Sequence, residues 1–153
     1  GICMIKIICV GKIKEKYLSD AVDEYTKRLS KYTKLEIIEL PDVDYDLKKT
    51  LEVEKNSILK NIKSGDYNIL LDLNGHDLNS IEFAKNIDKI RQVNSNINFI
   101  IGGSYGVHDD IKKISNERIS FSKLTFPHQL FRVILLEQIY RSFKILNNEE
   151  YHK

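Results

Sequence analysis

Five short runs of almost unbroken hydrophobicity recur along this chain: MIKIICV (4–10), KLEIIEL (34–40), YNILLDL (67–73), INFIIGG (97–103) and RISFSKL (118–124). A strand covered on one face alternates apolar and polar residues, whereas a strand covered on both faces reads as continuous. The segments between and after the runs, 14–31, 46–64, 79–94, 107–116 and 127–147, carry helical spacing. Strand–helix alternation at this interval predicts the α/β class, a parallel-rich sheet with helices on both faces. Neither a linker nor a repeat interrupts the pattern, and 153 residues can bury one proper core. A single domain over 4–153 is therefore expected. The opening GICM reads as a cloning remnant at residues 1–3 ahead of a native start at Met4.

Composition narrows the function classes. The chain is 42% hydrophobic, yet no apolar run approaches the roughly 20 residues of a membrane span, and no signal-peptide pattern opens it. A cytoplasmic protein without a membrane partner is expected. The net charge of +2 is small for a protein that grips bare nucleic acid through phosphates alone. Lys6, Lys12, Lys14 and Lys16 crowd the first strand end and first helix, as a solvated face or an RNA patch. Two cysteines, Cys3 and Cys9, make neither a disulfide framework nor a zinc site, so no metal is expected. Cys9, inside an apolar run, reads as a small buried hydrophobe.

In parallel α/β sheets, ligands bind beyond the carboxyl ends of strands. Five of the seven glycines, Gly11, Gly75, Gly102, Gly103 and Gly106, follow strands, and so do His76, His108 and His128. The loop GGSYGVH lets backbone approach a ligand, but it follows the fourth strand and is not the dinucleotide-binding G-x-G-x-x-G. Asn74-Gly75 signals a turn with His76 exposed on it, and Asn79 or Ser80 is placed to cap the next helix. Pro127 suits the first turn of the last helix, with Ser122 or Thr125 helping to satisfy its free N–H groups. That helix carries a broad apolar arc of Leu135, Leu136, Ile139, Tyr140, Phe143 and Leu146, and Arg132 falls inside it. A buried guanidinium must be paired or face a cavity. The residues alone leave open a salt bridge with Glu137 of the partner subunit and a ligand contact.

The stretches ICVGKIKEKYL, EYTKRLSKY, IIELPD, FIIGGSYGVH, SFSKLTFPHQLFRVILLEQIYRSFKI and the terminal YHK together resemble the small SPOUT-class enzymes known as the ribosomal RNA large subunit methyltransferase H family. The likeness runs from Met4 to Lys153. It implies an α/β domain with a C-terminal trefoil knot, which strand order alone does not deliver. It also implies a homodimer that transfers a methyl group from S-adenosylmethionine to N3 of a pseudouridine in 23S rRNA, acting on the assembled ribosome. Carried over by position, the cofactor site comprises Leu71, Gly102 and the loop Phe121, Ser122, Lys123, Leu124, Thr125 and Phe126. Arg132 and His152 become the catalytic candidates, while His128, Tyr151 and Lys153 become target-base contacts, with the tail supplied across the dimer. The resemblance thus places Arg132 beside a shared active site, on a helix face that forms the dimer interface. A glycine that the family commonly has three residues before its terminal tyrosine is Asn148 here, a residue that tolerates a left-handed helix end. The rival reading is a non-catalytic ribosome-associated binding protein on the same scaffold, but the intact glycine and FSKLTFPHQ loops argue for a cofactor pocket.

Overall fold

The computed structural model describes residues 3–150. Strands β1 (Met4–Val10), β2 (Lys34–Leu40), β3 (Tyr67–Asp77), β4 (Asn96–Ile101) and β5 (Glu117–Ser120) alternate with helices α1 (Lys16–Leu29), α2 (Leu47–Leu59), α3 (Ser80–Val93), α4 (Asp109–Ile114) and α5 (His128–Leu146). All strand pairings are parallel, in the order β2-β1-β4-β3-β5. The expected α/β class holds.

Strand position explains the hydrophobic runs. Central β1 is buried along nearly its whole length, whereas edge strand β2 exposes Lys34 and Glu36. One core combines Ile7, Phe99 and Ile119 of the sheet with residues of α1, α3 and α5. A second, on the opposite face, combines Ile8, Leu70 and Ile100 with Ile58 of α2 and Ile111 of α4. Helices therefore cover both faces, which is why strands of both period-2 sets had to be apolar.

Several local expectations change. The fifth strand stops at Ser120, not residue 124, because Ser120 Oγ donates to the Ser122 carbonyl (3.0 Å) and Leu124 N–H to Ser122 Oγ (3.0 Å), turning the chain out of the sheet. The Asn74-Gly75 turn does not end β3. The strand resumes after a bulge: Leu71 and His76 both register with Ile119. Gly75 is needed there, since a Cβ would lie 2.5 Å from the Arg118 carbonyl carbon. Asn79 caps α3 in a capping box with Glu82, while Ser80 donates to Gln138 instead. Pro127 stands at the N-cap of α5 rather than in its first turn, and no side chain, Ser122 and Thr125 included, caps that helix. Asn148 has φ 53°, the left-handed conformation expected where the resembling family carries glycine.

The apolar arc of α5 is also corrected. Leu135, Leu136, Ile139, Tyr140 and Phe143 are buried within this chain, against α1 and α3, and so are not a face left for a second subunit. Lys6 leaves the expected basic cluster as well. It is buried, donating to the Asn61 carbonyl (2.7 Å) and facing Asp66 at 3.8 Å.

Candidate functional site

β3 leads through α3 to its neighbour β4, and β4 leads through α4 back past β3 to β5, so the loops leaving the adjacent ends of β3 and β4 run to helices on opposite faces of the sheet. Loops diverge at such a switch and open a crevice. A cavity of about 430 Å³ lies there, at the carboxyl ends of β3, β4 and β5, within the roughly 300–1,000 Å³ of small-molecule sites.

Each strand end contributes one wall. From β3 come Leu71, Asp72, Leu73 and Asn74; the Asp72 carboxylate accepts the Asn74 N–H at 3.0 Å and faces Arg118 at 3.5 Å. The β4 wall is the glycine loop. A Cβ on Gly102 would fall 2.5 Å from the Gly106 carbonyl oxygen and 2.7 Å from Val107, so the loop closes only on a bare Cα. Gly106, at φ +76°, folds back to donate to the Gly103 carbonyl (3.0 Å). The β5 wall supplies Phe121, Ser122, Leu124, Thr125 and Phe126, with His128 and Phe131 from α5 behind them. Phe121 and Phe131 meet edge to face at 5.4 Å, which fixes an aromatic floor.

The cavity thus gathers Leu71, Gly102, Phe121, Ser122, Leu124, Thr125, Phe126 and His128 of the expected site. Lys123 is not in its wall. Tyr151, His152 and Lys153 lie outside the described residues. Of the other strand-end histidines, His108 accepts the Asp110 N–H at 2.9 Å and caps α4, and His76 pairs with Glu117 at 3.2 Å. Asp72, Leu73, Asn74 and Phe131 were not expected in the wall. Their signal was position: Asp72, Leu73 and Asn74 stand at the carboxyl end of the third apolar run, yet acidic and amide residues there usually read as turn formers.

Arg132 points elsewhere. It is fully buried, its Nη1 donating to Glu39 at 2.7 Å and its Nη2 to the carbonyls of Gly11 (3.1 Å) and Val10 (3.4 Å). The pairing is thus within the chain and with Glu39; Glu137 is engaged by Arg141 and Gln138. Glu39 also accepts the Ile13 N–H (3.0 Å), and Gln129 accepts the Lys14 N–H (3.0 Å), so the first turn of α5 is bolted to the ends of β1 and β2. Cys9 lies under this clamp. Burial pushes its thiol up to about 11, against the pull of the Arg132 charge, so it is an inert hydrophobe.

Chemically, the cavity has a glycine-built edge, aromatic walls, hydroxyls and one carboxylate. Among the described residues its lining holds no lysine or arginine. That suits a cationic ligand with a flat ring better than a phosphate-bearing one. Among the described residues no group of three or more metal-binding side chains meets, and no helix is long and apolar enough to cross a membrane.

Residues 3–152 match the family described as "Predicted SPOUT methyltransferase". The ribosomal RNA large subunit methyltransferase H of Caldicellulosiruptor saccharolyticus is 51% identical over 154 residues, spanning 98% of this chain and 100% of that protein. The protein of the same name from Clostridium botulinum strain 657 is 53% identical over 157 residues, spanning 97% and 99%. Among solved structures, a probable methylase family protein from Haemophilus influenzae Rd KW20 shares the fold, with a TM-score of 0.57 at 14% identity, over 97% of this chain and 70% of that one.

Proposed function

Because the chain belongs to the SPOUT methyltransferase family, we propose that it methylates ribosomal RNA of the large subunit, using S-adenosylmethionine held in the cavity of β3, β4 and β5. The observation that carries this is the wall itself: a glycine edge and aromatic floor for an adenosine, with no lysine or arginine in the lining and one carboxylate, Asp72, which also faces Arg118 at 3.5 Å. Leu71, Phe121, Leu124 and Phe126 enclose the ring, and Gly102, Ser122 and Thr125 bring polar groups to its edge. Bound there, the cofactor supplies an electrophilic methyl group.

The finer reading is transfer to N3 of a pseudouridine in 23S rRNA, on the assembled ribosome, by a homodimer whose C-terminal region is knotted. The close approach of β3 to the β5 backbone at Gly75, together with a β4–β5 connection that runs back past β3, is in keeping with such a knot. An imide N3 is protonated at neutral pH, so the chain must position the base and accept its proton. His152 is the proposed acceptor, and Tyr151, Lys153 and His128 the proposed base contacts, with His128 at the cavity wall. The buried clamp of Arg132 supports a role as a positioning residue for the α5 start rather than direct contact with the base.

The test is transfer of labelled methyl from S-adenosylmethionine to unmodified ribosomes, isolated large subunits and free rRNA. Labelling of ribosomes mapped to one pseudouridine is the expected result. Cofactor binding without transfer to any of the three would overturn the substrate, and no cofactor binding would favour the non-catalytic ribosome-associated protein.

A further inference from the structure

Across the glycine loop from the cofactor cavity lies a second cleft of about 320 Å³, between the β2–α2 loop, α2 and residues 104–105. Ser104 lines both, so the two spaces share a wall. At the base of the cleft sits Glu54, only 5% exposed. It makes no hydrogen bond or ion pair among the described residues. Its carboxylate oxygens stand 3.0 and 3.1 Å from where a Cβ on Gly103 would be, so glycine at 103 leaves the room it occupies. Asp42 and Asp44 line the same cleft, and Tyr45 and Tyr105 flank it half exposed. Thr50 Oγ1 ties down the N–H (3.3 Å) and carbonyl (3.1 Å) of Tyr45, so that lip is preformed.

A largely buried carboxylate without a donor is costly, and burial with the neighbouring Asp42 charge pushes its carboxyl above the ordinary range. Three carboxylates repel phosphate. What fits is a neutral or cationic N–H donor, and two tyrosines at the lips favour a flat ring. Extruded bases are read in this way, by hydrogen bonds to an edge and stacking on aromatic side chains. We propose that this cleft receives an unpaired base of the RNA substrate, a uracil- or guanine-type ring whose ring N–H donates to Glu54, beside the cofactor cavity. The inference rests on the rRNA reading and adds to it a base-recognition site on the Glu54 side of the glycine loop.

The probe is uridine against 3-methyluridine, which lacks that N–H, titrated into the full chain while the backbone amides of Ser104 and Tyr105 are followed by NMR. Uridine is expected to shift both amides. 3-Methyluridine is expected to bind about tenfold more weakly, and Glu54→Gln, near-isosteric, to weaken uridine by about the same factor for loss of a charge-assisted bond. Equal affinity for both nucleosides would overturn the proposal. So would an unchanged affinity in Glu54→Gln, which would leave Glu54 as a prop for Gly103. A response to methylguanidinium but not to uridine would make the cleft a cation site and overturn it too. Ribosome methylation by the same wild-type sample separates the two claims. Methylation without a uridine response sinks the cleft alone, whereas a uridine response without methylation sinks the rRNA reading and supports the cleft.

Discussion

The two ends of the Arg132–Glu39 pair differ in burial, and that predicts unequal costs for breaking it. The Arg132 side chain is 1% exposed and the Glu39 side chain 33%. Removing the acid with Glu39→Ala leaves a dry guanidinium with only the Gly11 and Val10 carbonyls as acceptors, a loss of about 3–5 kcal/mol. Replacing the base with Arg132→Met keeps the volume and leaves Glu39 free to take water while still holding the Ile13 N–H. Its cost is the unmade bonds to the two carbonyls, about 1–3 kcal/mol. At about 2–4 °C per kcal/mol for a chain of this size, Glu39→Ala should lower Tm by about 6–20 °C and Arg132→Met by about 2–12 °C. Circular dichroism melts of both variants and the double variant measure this, with the double variant close to Arg132→Met alone. The clamp would be refuted if Arg132→Met melted with the wild type yet lost methyl transfer. That result would return Arg132 to the reacting base.

Three further outcomes follow from the same geometry. Gly102→Ala, with its Cβ 2.5 Å from the Gly106 carbonyl oxygen, should open the glycine loop and weaken S-adenosylmethionine binding by at least about tenfold in calorimetry, with the sheet intact by circular dichroism. Cys9, its thiol raised to about 11, should resist a maleimide or disulfide reagent at pH 8 until the chain is unfolded. Glu54, raised by burial and Asp42, holds its proton more tightly folded than unfolded. Stability should therefore fall as pH rises from about 4.3, the ordinary glutamate value, through the raised one. Glu54→Gln should flatten that fall and raise Tm at pH 7 in denaturation curves measured across the window.

The sequence by itself determined the class, and the resemblance it carries pointed to much of the candidate site. Runs apolar at every position required a sheet covered on both faces, and placing the ligand loops after those strands required only the polarity of parallel sheets. Gly102 and the phenylalanines of 121–126 were reached through the family resemblance, and their residue types suit a tight loop and a ring wall. Three things waited for the tertiary structure, all of them set by contacts distant in sequence. Arg132 meets Glu39 across 93 residues, a pairing no local pattern encodes, so its place in the apolar arc read as an interface when it is an internal clamp. Asp72 and Asn74 resemble turn formers until the bulge of β3 against β5 carries them to the cavity wall. Glu54 looks like one more charge on an amphipathic helix, and only the packing of α2 beneath the bare Cα of Gly103 makes it a buried acid. Local periodicity reports which face of an element is covered; which partner covers it is decided by the fold that brings them together.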